Sequence, residues 1–279
     1  MRWLARIAWG YLLLGVFLVV SFRLGHLSPS ADPSRFAGLE IAHRGAALRF
    51  PENTLEAIDG AHALGASAVE VDVMLSADGV PVVLHDPTLE RTTDGEGLVR
   101  ERTVAELQAL RVRTPGGEGF ASGRIPTLEE VVERVRALGM TLEIELKTAV
   151  VRTYELSVAI VALFARHELH EHAFVSSFDP RFLYYVRQLD PEIVTALALM
   201  DRPPYGPVVD YLLHRVGTAD FLGVGIIEAE QSLVTDDFLD HWQGTGRVIN
   251  VFTVNSERAK ARFLEAGSAI TTDCPGGGC

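Results

Sequence analysis

The chain has 279 residues, 25 basic against 37 acidic side chains and a formal charge of −12. With no Lys/Arg-rich run or aromatic-interleaved basic patch, that balance excludes a nucleic-acid partner. Only Cys274 and Cys279 are present; they could pair, but two cysteines in the last few residues exclude a disulfide scaffold, and Gly-Gly-Gly before the final Cys excludes a prenylation signal.

Met1-Arg2-Trp3-Leu4-Ala5-Arg6 leads into a largely apolar run from Ile7 to Phe22, closed by Arg23. At about 1.5 Å per residue its length is about 24 Å, a marginal span that Trp3, Leu4 and snorkelling Arg6 and Arg23 can extend toward a core of about 30 Å. Arginines before the run set the N-terminus in the cytoplasm and the folded domain on the non-cytoplasmic side. Export after signal cleavage near Ser28 or Ser30 is the alternative. Residues 1–25 are thus read as an anchor or signal segment and 26–37 as a linker. About 250 residues remain, the size of one α/β barrel.

From Leu39 onward short apolar strands alternate with helical stretches, as in repeated βα units. Strands are expected at 39–43, 68–73, 141–146, 172–177, 193–198, 221–226, 247–253 and 269–272. Eight is the number a closed (β/α)8 TIM barrel requires. Asp78-Gly79 sits between two extended arms and signals a hairpin at 74–85, an excursion from the second strand that sets residue 72 opposite residue 85. Helix signals are Asn53-Thr54 before Leu55 to Leu64, Pro126-Thr127 before Leu128 to Leu138, and Asp179-Pro180 before Arg181 to Leu189. Residues 86–126, with Thr92-Thr93-Asp94-Gly95, a short helix near Val104 to Leu110 and a Gly-rich stretch at 115–119, read as an insertion on the rim. Residues 199–220 hold a Pro-rich piece and the amphipathic Val209 to His214, which either lines a lipid-facing mouth or packs as a surface helix. The barrel is placed at 38–275, with a flexible tail at 276–279.

The chemistry lies at strand ends. Period-2 geometry puts Glu70 and Asp72 on one strand face, where two carboxylates repel unless a cation lies between them, and oxygen ligands suit Mg2+ or Ca2+. The hairpin returns His85 toward them as an acid or base. His43, Asp72 and Glu145 all fall at C-terminal strand ends, and Glu143, Glu145 and Lys147 alternate into the barrel. Asn53 and Thr54 read as a helix cap, Arg91 to Asp94 as residues shaping a turn, and Lys147 as a possible counter-ion to Glu143.

The stretches His43-Arg44-Gly45, Pro51-Glu52-Asn53-Thr54, Glu70-Val71-Asp72-Val73, Asp78-Gly79, His85-Asp86, Arg91-Thr92-Thr93-Asp94-Gly95, Ile125-Pro126-Thr127-Leu128, Glu145-Leu146-Lys147, Ser176-Ser177-Phe178, Thr253-Val254-Asn255 and Thr272-Asp273 together resemble the glycerophosphodiester phosphodiesterases. The resemblance spans residues 41–275. It implies a TIM-barrel hydrolase that releases glycerol 3-phosphate and an alcohol with a divalent cation. It implies metal ligands Glu70, Asp72 and Glu145, acid and base His43 and His85, and phosphate contacts from Arg44 and Lys147. With its N-terminal apolar segment the layout is most similar to membrane-anchored, glycerophosphoinositol-type members. One departure is Phe252, where the family often has Trp; an apolar pocket wall survives without an indole N–H. Two other functions are compatible with these residues: a lysophospholipase D acting on membrane lysolipids, and a catalytically silent, membrane-tethered binding module.

Overall fold

A computed structural model describes residues 27–147, 152–200 and 217–277. Nine strands form one sheet: β1 (Glu40–Ala42), β2 (Ala68–Leu75), β3 (Pro81–Val83), β4 (Thr141–Leu146), β5 (Ala173–Ser177), β6 (Thr195–Leu199), β7 (Ile226–Glu230), β8 (Val248–Phe252) and β9 (Ala269–Thr272). All but β3 run parallel, and β1 pairs with both β2 and β9, which closes an eight-stranded TIM barrel. Both faces of β2 are buried, which is why Ala68 to Leu75 carries so few polar residues.

Around the barrel lie α1 (Leu55–Ala63), α2 (Val104–Gln108), α3 (Leu128–Leu138), α4 (Thr153–His167), α5 (Pro180–Leu189), α6 (Thr218–Leu222), α7 (Asp236–Gln243) and α8 (Glu257–Glu265). The local chemistry of α3 shows why its ends fall where they do. Thr127 and Glu130 form a reciprocal capping box, Val131, Val132 and Val135 face the core, and Gly139 closes the helix at φ 66°.

The first described residues are fastened across the barrel's base, where the strands begin. Leu27 N–H donates to the carbonyl of Phe221 and Ser30 N–H to that of Gly223, both at 2.9 Å, while Arg187 donates to the carbonyl of Ser28. Phe36 then plugs the base against Phe174, Val194, Ile226 and Val248. Full burial of such a ring contributes about 1.5–3 kcal/mol.

Two expectations need correction. Residues 221–226 are not a strand: α6 runs to Leu222, Gly223 ends it at φ 62° with its Cα packed on the backbone of Ser28, and β7 begins only at Ile226. Apolar Phe221-Leu222 resembled a strand start, while Glu228 and Glu230 disguised the strand proper. The hairpin is centred on Asp78, so Val73 faces Val83 and Asp72 faces Leu84 instead of residue 85. Ser76 and Val80 close a three-residue loop with Gly79 at φ 81°, a turn that adds the one-residue offset. The apolar run at 7–22 and most of the 199–220 segment lie outside the described residues. Among the described residues no helix is long and apolar enough to cross a membrane.

Candidate active site

Register assembles the site. β2 and β4 pair so that Glu70 lies beside Glu143 and Asp72 beside Glu145, and all four carboxylates enter the barrel. Donor oxygens of Glu70, Asp72 and Glu145 come within 4.8 Å of one another. His43 follows β1 directly, and the β3 arm delivers His85; both line a cavity of about 340 Å³ with Arg44, Glu70, Glu145 and Lys147. Part of the lining is apolar: Phe252, Met200 and Phe178, with the two phenylalanine rings edge to face at 5.8 Å.

A sharp turn after β1 shapes the cavity edge. Arg44 at φ 56° and Gly45 at φ 78° are both left-handed, which aims the Arg44 N–H at Glu70 Oε2, 2.8 Å away. A Cβ on Gly45 would lie 2.6 Å from the Ala57 carbonyl carbon. Gly45→Ala should therefore cost about 2–5 kcal/mol, strain and overpacking together, in urea unfolding; a loss under 0.5 kcal/mol, roughly the scale of neutral surface changes, would contradict this.

Charge is densely packed here. Burial, then the neighbouring Asp72, Glu145 and Glu143 charges, push the Glu70 carboxyl well above its ordinary range, with Arg44 opposing. Burial acts the same way on Asp72, but Lys147, Arg44 and His85, with a hydrogen bond from Asn53, overcome it and hold Asp72 well below the usual range. Lys147 stays cationic despite burial because Asp72, at 3.0 Å, and Glu145, at 2.7 Å, raise its affinity for the proton. Lys147 therefore answers those two carboxylates and not Glu143.

This donor set suits a hard divalent cation. Glu70 Oε1 is buried with no hydrogen-bond partner, and three convergent carboxylates with only oxygen donors match Mg2+ or Ca2+ chemistry.

The two histidines are held alike. Nδ1 of His43 lies 2.7 Å from Asp273 Oδ1, and Nδ1 of His85 lies 2.6 Å from Asp86 Oδ1. A carboxylate at Nδ1 favours the tautomer protonated there and leaves Nε2 for chemistry. Asn255 fixes Asp273 in turn, donating to its Oδ2 at 2.8 Å and accepting from its N–H at 2.9 Å. The Asp86 carboxyl is held down to about 2: burial opposes this, but hydrogen bonds from Arg91 and His85 outweigh it. Asp86 thus adds stability above its unfolded value of about 3.9, and that contribution is lost as pH falls toward 2. The stability gap between the protein and Asp86→Asn should shrink over that interval in acid-titrated urea melts; a gap independent of pH would refute the assignment.

Some working residues were not singled out by sequence. Asn53 does more than precede a cap: Thr54 is the cap, while Asn53 Nδ2 donates to Asp72 Oδ2 at 2.7 Å and its Oδ1 accepts the Asp72 N–H. Asp86 and Asp273 sit in the quoted stretches, but their roles needed the fold. Glu228 had no signal because its strand was misplaced; it lines the cavity and faces Glu143. Burial first, then the Glu145 and Glu70 charges, push Glu228 up to about 8, and Glu143, facing it, is raised as well, chiefly by burial.

Comparison with known proteins agrees with this geometry. Residues 43–276 match the model of the "Glycerophosphoryl diester phosphodiesterase family". A "Glycerophosphodiester phosphodiesterase" of Caldanaerobacter subterraneus is 38% identical over 159 residues, 57% of this chain and 65% of that one. The Bos taurus "Glycerophosphodiester phosphodiesterase 1" is 30% identical over 264 residues, 84% of this chain and 77% of its own. Among solved structures, an Oleispira antarctica phosphodiesterase in complex with the product sn-glycerol 3-phosphate superposes with a TM-score of 0.75 at 30% identity, covering 86% of this chain and 95% of that one.

Proposed function

The chain belongs to the glycerophosphoryl diester phosphodiesterase family, and from that premise we propose that it hydrolyses glycerophosphodiesters to glycerol 3-phosphate and an alcohol. The observation that carries this reading is the convergence on one cavity of three carboxylates with donor oxygens within 4.8 Å, two histidines and two cations. Glu70, Asp72 and Glu145 would hold Mg2+ or Ca2+, which when bound supplies charge neutralisation at a phosphoryl oxygen. Arg44 and Lys147 orient the phosphodiester through its remaining oxygens, their own carboxylate contacts keeping both side chains in place. One histidine Nε2 takes the proton of the attacking oxygen. The other gives a proton to the departing alkoxide, which is too basic to leave bare at neutral pH. The attacking oxygen is water, or the glycerol 2-hydroxyl with a cyclic phosphate hydrolysed afterwards; 31P NMR during turnover separates the two routes. Phe252, Phe178 and Met200 pack the carbon skeleton of the substrate.

The deciding experiment is release of glycerol 3-phosphate from a panel of glycerophosphodiesters by EDTA-stripped protein with Mg2+ or Ca2+ restored. Metal-restored release is expected; folded protein inert under either ion would overturn the reading. The apolar wall supports a second reading, a lysophospholipase D, which a strong preference for water-soluble diesters over lysolipids would retire. We place the chain in the membrane as a single-pass protein through its apolar run at 7–22, with the barrel on the non-cytoplasmic side and export after cleavage as the alternative. Retention of the full-length chain in alkali-washed membranes is expected, and recovery in the wash would favour export.

A further inference from the structure

We propose that Arg91 is a positioning residue that couples the proton-transfer side of the site to its phosphate-binding side, a proposal that rests on the roles given above to His85 and Arg44. Nothing in the reaction as described uses Arg91. It comes from the rim insertion, yet its guanidinium lies between two carboxylates with all three nitrogens engaged. Nε and Nη2 donate to Asp86 Oδ2 and Oδ1 at 2.5 and 3.1 Å, and Nη1 and Nη2 donate to Glu52 Oε2 and Oε1 at 2.7 and 2.8 Å.

From this double fork the contacts run inward along two arms. Asp86 Oδ1 meets His85 Nδ1 at 2.6 Å. Glu52 Oε1 accepts from Arg44 Nη1 at 3.1 Å, and Arg44 reaches the metal-binding carboxylates, through Nε to Asp72 Oδ2 at 3.2 Å and through its N–H to Glu70. Asp86, Arg91, Glu52, Arg44 and Asp72 thus form one chain of alternating charge, with His85 at its Asp86 end and the buried carboxylate cluster at the other.

Two physical points make this chain a matter of rate more than of stability. The Arg91 side chain is 47% exposed, and ion pairs so exposed add little to folding free energy. Its fork is rigid and bidentate on both edges, however, so it sets the rotation of both carboxylates, which a lysine ammonium cannot do. Without Arg91, among the described residues Asp86 keeps only its contact to His85, and Glu52 is left with Arg44 alone. The His85 ring and the Arg44 guanidinium would then loosen together.

The test uses the full chain with Arg91→Ala, Arg91→Lys, Asp86→Asn and the Arg91→Ala/Asp86→Asn double variant. We expect Arg91→Ala to lower kcat about 10- to 100-fold and to raise KM severalfold, Arg91→Lys to restore only part of each, and the double variant to be no slower than the worse single one. The His85 ring is also observed by 1H–15N NMR without substrate, where Arg91→Ala should shift or broaden its Nδ1–H resonance. That readout needs no turnover, so it separates failure of this proposal from failure of the phosphodiesterase reading. A lowered melting temperature with kcat, KM and the His85 resonance unchanged would make Arg91 merely structural and overturn the proposal. Multiplying effects in the double variant would overturn it as well.

Discussion

Alanine at His85 or at His43 should lower kcat by about 10²- to 10⁴-fold while leaving the barrel folded. Both rings sit at the cavity edge, with side chains 30% and 24% exposed, and neither fills the apolar core. Their loss removes proton transfer without opening a void. Each ring is held at Nδ1 by one aspartate, so in the proposed mechanism Nε2 is the reacting nitrogen on both, and the two would act on opposite ends of one displacement. Groups that work in concert are not additive, so the double variant should be about as slow as the worse single one. Steady-state kinetics on protein of unchanged circular dichroism checks this. Either single variant keeping more than about a tenth of normal kcat would remove that histidine from the mechanism.

Glu70→Gln should uncouple the protein from its cation. At a roughly hundredfold excess over its Kd, a divalent ion that binds only the folded state adds about 2.7 kcal/mol, which is about 5–10 °C in melting temperature at this size. That shift is expected for the unaltered chain and not for Glu70→Gln, whose turnover should fall about 10³-fold or more. Glu70 is the informative carboxylate to change because Gln can still accept the Arg44 N–H, whereas removing Asp72 would strand Arg44, Lys147 and Asn53 at once. Without metal, Glu70→Gln should be at least as stable as the parent, since it takes one charge from a crowded set of carboxylates. A variant that kept the full metal-dependent shift would show that the cation binds elsewhere.

Patterning made the barrel and the carboxylates readable. Glu70 and Asp72 stand in an otherwise apolar strand, and Glu143, Glu145 and Lys147 repeat the device one strand over, so acids at period 2 in a buried run report a polar interior. Glu228 was hidden because the same logic failed by one element: a five-residue helix with an apolar end precedes its strand, and no local periodicity separates the two. The aspartates behind the histidines were hidden for another reason. Asp86 is adjacent to its histidine, but Asp273 is 230 residues from His43, and only closure of β1 against β9 brings them together. Asn53 read as a helix cap and Arg91 as turn chemistry because one directly precedes a helix and the other sits in a turn; what their side chains reach depends on how a loop and an insertion meet over the barrel.

The fastening of residues 27–30 across the base sets a limit on reach. Were the proposed anchor to end at Phe22, only Arg23-Leu24-Gly25-His26 would separate it from Leu27, a reach of about 17 Å even when fully drawn out. The fifteen residues of α4, which flank the barrel, already measure about 22 Å. On the proposed anchored topology such a leash would be shorter than the barrel's flank, which would hold the base toward the bilayer and the mouth away from it. Esters would then arrive through water, and a lysolipid in the same leaflet would have to leave its membrane before the site could receive it.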